Sequence, residues 1–173
     1  MSDVMTLEEK VDLARTVSQI AAEELDDFCN QRGLPAQDLT SWSTAWVTGG
    51  KLGVQALVLP WRPERAQLRA WHDDVKQAVK RFRPRTLRVG ADGNHFTVEE
   101  VKPLTTTNIV HTPIFQLRVV ADEQGEVHWF LYWRRAGGHW WPYAGRPSFE
   151  SIEAAVAEVL SDSHHCFRLH PLH

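Results

Sequence analysis

The chain has little cysteine: Cys29 and Cys166 stand alone, too few for a disulfide framework and too far apart for a Cys-x-x-Cys pair. It has no apolar run long enough for a signal peptide or a membrane span. A reducing, cytoplasmic location away from membranes is therefore expected. No internal repeat or low-complexity tract appears. The glycines build no phosphate loop, because Ala45 stands where the first Gly is needed and Leu52 follows Gly50-Lys51 where Ser or Thr would hold magnesium. No Ser-His-Asp or Cys-His pairing is justified from spacing, since such sets are recognised by geometry. With no convincing catalytic set, a non-catalytic role without a cofactor is expected.

What is present is an ordinary globular composition, 43% hydrophobic and 24% charged over 173 residues, enough for one full core or for one domain with an N-terminal extension. Tryptophan is in excess. Four of the eight tryptophans and both tyrosines fall between His128 and Tyr143. Aromatic residues favour strands, and Gly137-Gly138 can take the positive φ of a tight turn, so this stretch predicts a β-hairpin. One face of its first strand holds His128, Phe130, Tyr132 and Arg134, and the other Trp129, Leu131, Trp133 and Arg135. Aromatics on both faces mean either a strand pair covered on both sides or a displayed contact surface.

Thr6 and Glu9 form a capping box, and Val17, Ile20, Ala21, Leu25 and Phe28 recur at helical spacing until Gly33 and Pro35. They predict a first helix over about 7–31. Trp42, Thr44 and Trp46 alternate with Ser43, Ala45 and Val47, and Thr48-Gly-Gly-Lys51 separates them from Leu52, Val54, Ala56 and Val58, which predicts a hairpin. Pro63 opens and Pro84 closes a second helix with Leu68, Trp71, Val75, Ala78, Val79 and Phe82 on one stripe. Alternating runs near 85–89, 95–101, 114–121, 127–134 and 139–143 predict an antiparallel meander. Ser148 is the expected cap of a closing helix that buries Phe149, Ile152, Val156, Val159 and Leu160. The expected fold is α+β: an antiparallel β-meander of about five strands with a C-terminal helix, plus two N-terminal helices with a hairpin between them. Residues 1–60 form the N-terminal extension and residues 61–173 the core domain, within one compact unit.

The net charge of −3 hides a segregation: residues 1–40 carry −6 and residues 62–88 carry +6. On the second helix Arg62, Arg65, Arg69, Lys76, Lys80 and Arg83 share one narrow sector and form a basic rail. Such a rail matches an acidic protein surface or a row of phosphates. It can also be a solvated face, or be paired with the acids Glu9, Asp12, Glu23 and Asp26 of the first helix. Arg134 and Arg135 extend the partner-binding candidates to the hairpin turn. The expected role is an interaction module or accessory subunit that docks an acidic surface of a larger protein assembly, with homo-oligomerisation open. Nucleic-acid backbone binding, RNA or DNA, is the alternative, opposed by a sequence pI near 6.3. A third reading is a metal-dependent nuclease using Asp92, Glu100 and Lys102, because an acid followed by Glu-x-Lys on neighbouring strands can hold magnesium. The tail offers a weaker zinc set in His165, Cys166, His170 and His173, with His164 nearby.

Over about residues 61–171 the chain resembles a small bacterial domain-of-unknown-function family. The resemblance is carried by Phe96-Thr-Val-Glu-Glu-Val-Lys-Pro103, Thr112-Pro-Ile-Phe-Gln-Leu-Arg118, Trp129-Phe-Leu-Tyr-Trp133, Trp141-Pro-Tyr143 and a closing helix before Cys166-Phe167. The family's strands similarly run Phe-Glu-Glu-Arg-Pro, Leu-Tyr-Trp and Trp-x-x-Tyr. Here Val101-Lys102 stands where the family has Arg. The resemblance implies the order of the elements and no chemistry.

Overall fold

The second half of the chain is built on period-two alternation, and it forms one sheet. The computed structural model describes residues 5–58, 63–135, 137–146 and 148–167. Strands β1 (Leu87–Asp92), β2 (His95–Pro103), β3 (Ile109–Ala121), β4 (Val127–Arg134) and β5 (Trp140–Pro142) pair in sequence order, all antiparallel. The expected meander is present. Strands β2 and β3 run past their neighbours as a two-stranded arm, because β1 pairs only as far as Leu87↔Glu100 and β4 only as far as Phe115↔Trp133.

Both faces of the sheet are covered, and the alternation decides which residues go where. Phe96, Val98, Phe115, Leu117, Val119, Trp129 and Leu131 form the first face. They are packed under α4 (Arg65–Ala78) and α5 (Ile152–Ser161). Val120, Phe130 and Tyr132 point the other way and pack on α3 (Ala36–Val58) through Ala56, Leu52 and Leu57. The first strand of the aromatic hairpin is thus a doubly covered strand: residues Trp129 to Tyr132 are each no more than 5% exposed. Burial of a side chain of this size stabilises the fold by roughly 1.5–3 kcal/mol.

Helix α4 has the expected stripe, with Val75 and Ala78 buried and Leu68 and Trp71 half-buried. It continues as a 3-10 turn, Val79–Phe82, to the expected stop at Pro84. The closing helix starts later than its sequence suggests. Ser151, not Ser148, supplies the cap, accepting from the Ala154 amide at 3.1 Å, while Phe149 stays extended and bridges to Trp129.

The N-terminal region departs from the sequence pattern in two places. The expected single helix over 7–31 is two helices, α1 (Leu7–Val17) and α2 (Leu25–Arg32), joined through a 3-10 turn at Ala22–Glu24. The Thr6–Glu9 capping box opens α1 as expected, and Ser18 ends it. The break lets Leu25 and Phe28 turn back onto Leu13, Val17 and Leu39 in one cluster, whereas a straight helix would hold Leu13 and Phe28 roughly 22 Å apart.

The expected hairpin over 42–58 is helical. Leu39, Trp42 and Ala45 recur at helical spacing and bury on the α1 side, and that packing overrides the β propensity of Trp and Thr. The threonine hydroxyls are accommodated inside the helix. Thr40, Thr44 and Thr48 donate to the carbonyls of Ala36, Thr40 and Thr44 at 2.8, 2.9 and 2.9 Å. The Gly49-Gly50 reversal does fall where the sequence places a turn. Gly50 adopts φ 57°, ψ −147°, and the helix after it folds back so closely that a Cβ on Gly53 would lie 2.3 Å from the Ala45 carbonyl oxygen.

Candidate functional site

The apolar stripe of α4 lies on the sheet, so its polar side faces outward. Arg65, Arg69, Lys76, Lys80 and Arg83 are all exposed, while Arg62 lies outside the described residues. At its C-terminal end this rail meets the edge strand β1 and becomes a groove of about 330 Å³. Lys76, Lys80 and Arg83 line it from the helical side, and Arg85 and Arg88 from the strand side, above a floor of Val79, Leu87 and Val89. Among the described residues no carboxylate lines it. Arg65 and Arg69 stand outside the groove, since Arg69 precedes Lys76 by two helical turns, roughly 10 Å.

The cations in the groove differ in how they are held. Arg85 is half-buried and its Nη1 donates to Glu100 Oε1 at 2.9 Å. Lys76 stands 3.6 Å from exposed Asp73, and Lys80 Nζ donates to Gln77 Oε1 at 2.7 Å. Among the described residues, Arg83 and Arg88 make no ion pair. The strand edge itself is partly closed, because His72 Nε2 donates to the outward Val89 carbonyl at 3.0 Å.

The acids of the first helix are used elsewhere. Glu9 accepts from the Thr6 amide and hydroxyl, Asp12 pairs with Arg15 at 2.7 Å, and Glu8 pairs with Lys51 at 2.7 Å. Among the described residues no acid of α1 reaches the rail.

The other predicted residues fall into three separate places. Arg134 and Arg135 are exposed at the β4–β5 turn, where Arg134 Nε donates to the Gly138 carbonyl at 3.1 Å and Arg135 lies over Trp141 at 4.6 Å and Trp133 at 5.5 Å. They are towards the opposite edge of the sheet from the groove, roughly 14–19 Å away at three to four strand spacings. They brace the turn and do not extend the rail.

Glu100 and Lys102 do come together, at 3.0 Å. Asp92, however, pairs with His95 at the far end of the β1–β2 hairpin, five residues or roughly 17 Å along β2 from Glu100. The Glu100 carboxylate is enclosed by Arg85 and Lys102 and shares no cation site with Asp92.

In the tail, His165 is exposed and the Cys166 thiol contacts the His164 carbonyl at 3.6 Å. Burial, with Asp162 adding to it, pushes that thiol's pKa up, away from the thiolate that a metal needs. His170 and His173 lie outside the described residues. No three His, Cys, Asp or Glu side chains cluster at metal-holding distance among the described residues. None of the helices among them is long and apolar enough to cross a membrane.

Arg88 belongs to the groove although a helical wheel leaves it out, because it comes from a strand. The available signal was its place in the basic run 62–88, just past the helix stop at Pro84.

No curated protein and no solved structure shows significant similarity to the chain. A family model described as Domain of unknown function (DUF3024) matches residues 59–168, which takes in α4, the whole sheet and α5. The chain therefore belongs to the DUF3024 family.

Proposed function

We propose that this protein is a non-catalytic interaction module, an accessory subunit that docks an acidic segment of a larger assembly in the groove between α4 and β1. The observation that carries this is the groove's composition: five cations on the walls, three aliphatic side chains on the floor and, among the described residues, no carboxylate. A bare phosphate backbone is served by cations alone. An apolar floor under a cationic rim also suits a peptide that alternates acidic and aliphatic residues. Arg83 supplies charge that no described acid neutralises, Val79, Leu87 and Val89 supply the apolar contact, and Arg88 stands across from Glu99 at the groove's strand edge.

The test is fluorescence anisotropy of a short labelled peptide alternating glutamate and leucine, beside a labelled single-stranded oligonucleotide. Saturable peptide binding is expected, weakening with salt and falling about tenfold or more, about 1.4 kcal/mol, in the Lys80→Glu/Arg83→Glu double variant. Peptide binding untouched by the double variant would remove the groove as the docking site. Tighter binding of the oligonucleotide, lost in the same variant, would instead make the groove a nucleic-acid backbone site.

A further inference from the structure

Away from the cationic groove, the second face of the sheet holds a cavity of about 320 Å³ between α3 and the β4–β5 turn. Its walls include Trp42, Leu57, His139 and Trp140, and Arg118 lines it from the central strand β3.

Arg118 is 7% exposed. Its Nε donates to Gln116 Oε1 at 2.7 Å, its Nη1 donates to the Leu57 carbonyl at 3.3 Å, and its guanidinium carbon sits 4.0 Å above the Tyr132 ring. Gln116 is itself held by donating to Thr97 Oγ1 at 2.9 Å. Every one of these partners is neutral. Among the described residues no carboxylate forms an ion pair with Arg118. Among the described residues Asp38 is the one carboxylate lining the cavity, and it is exposed. A guanidinium removed from water normally keeps an anion beside it, since a buried charge without one is destabilising by several kcal/mol. Here the place where an anion can reach it is the cavity.

We propose that this cavity is a binding site for a small aromatic carboxylate, with the carboxylate on the Arg118 fork and the ring between Trp42 and Trp140. Three features select that class. The planar guanidinium fork matches a carboxylate with two parallel hydrogen bonds. Two half-buried indoles and Leu57 offer flat apolar walls, and the cavity is at the small end of the roughly 300–1,000 Å³ range of ligand sites, which fits one or two fused rings. The exposed Asp38 among the lining residues opposes a polyphosphate more strongly than a single carboxylate, because the repulsion grows with the ligand's charge. The site is composite: Trp42 and Leu57 come from α3, outside the matched family segment, and Arg118 and Trp140 from within it.

Calorimetric titration of the full chain with indole-3-carboxylate, its neutral amide and acetate tests this. The wild-type protein is expected to bind the carboxylate about tenfold or more tighter than the amide, and tighter than acetate by a similar factor. Arg118→Met is expected to abolish the preference for the acid, and Trp140→Ala to weaken acid and amide alike. The Lys80→Glu/Arg83→Glu variant is expected to bind indole-3-carboxylate as the wild type does, which separates this site from the groove. Equal binding of acid and amide by the wild-type chain, or no saturable binding of either, would overturn the proposal without recourse to any variant.

Discussion

At the scale of single residues, two buried or half-buried polar groups set expectations that can be measured. Glu100 is 8% exposed and holds Arg85 at 2.9 Å and Lys102 at 3.0 Å. Glu100→Gln keeps the shape and removes the charge, so a loss of about 1.5–3 kcal/mol in urea denaturation is expected. His95 stands opposite Arg118 across β2 and β3. Burial first, and the Arg118 charge second, push its pKa from 6.5 down to about 4, with Asp92 acting the other way. The unfolded chain therefore binds a proton near pH 6.5 that the fold refuses until about pH 4. This contribution to stability is complete above pH 6.5 and is lost as pH falls towards 4. His95→Gln removes it, so the variant's stability should decline less steeply than the wild type's across that window; parallel curves of urea midpoint against pH would contradict this. Arg118, beside His95, was not legible as a site in the sequence. A polar residue on a strand reads as solvent-facing, and its burial depends on α3, whose pattern reads as strand.

At the scale of elements, legibility follows how clean the period is. Helix α4 shows one uninterrupted stripe between two prolines, and the strands alternate between turn signals, so both stand out. The cationic rail on α4 was legible for the same reason, and Arg88 was not, because the groove joins a helix to a strand. Residues 36–58 carry both periods at once. The alternation of Trp42, Thr44 and Trp46 is real, but so is the spacing Leu39, Trp42, Ala45, and only the presence of α1 as a packing partner decides between them. The turn at Gly49-Gly50 was visible because it rests on backbone chemistry that does not depend on the flanking structure. Gly50→Ala places a side chain in a region open almost only to glycine, and about 1–3 kcal/mol of destabilisation is expected. Gly53→Ala meets the Ala45 carbonyl at 2.3 Å and must push the two helical arms apart, with a similar loss of about 1–3 kcal/mol. Thermal melts with unchanged midpoints in both variants would mean that the close crossing does not hold α3 together.

At the scale of the molecule, the N-terminal helices complete the sheet's burial on the second face. Ala56 and Leu57 cover Val120, Phe130 and Tyr132, whose exposures are 0, 5 and 1%, and the Leu57 carbonyl is one of the neutral acceptors of Arg118. The family match begins at residue 59, so a chain starting there keeps the sheet, α4 and α5 and loses this cover. Its second face would then present three large apolar side chains beside an uncovered guanidinium, a contiguous patch of the kind that drives association. Removal of residues 1–58 is therefore expected to lower the melting temperature, to raise binding of the dye ANS and to promote self-association in size-exclusion chromatography. The groove lies on the far side of the sheet and draws all its lining from residues 76–89. Acidic-peptide binding should consequently survive in whatever fraction of the truncated chain remains folded, while indole-3-carboxylate binding should vanish. Loss of both together would mean that α3 organises the whole sheet rather than one face of it.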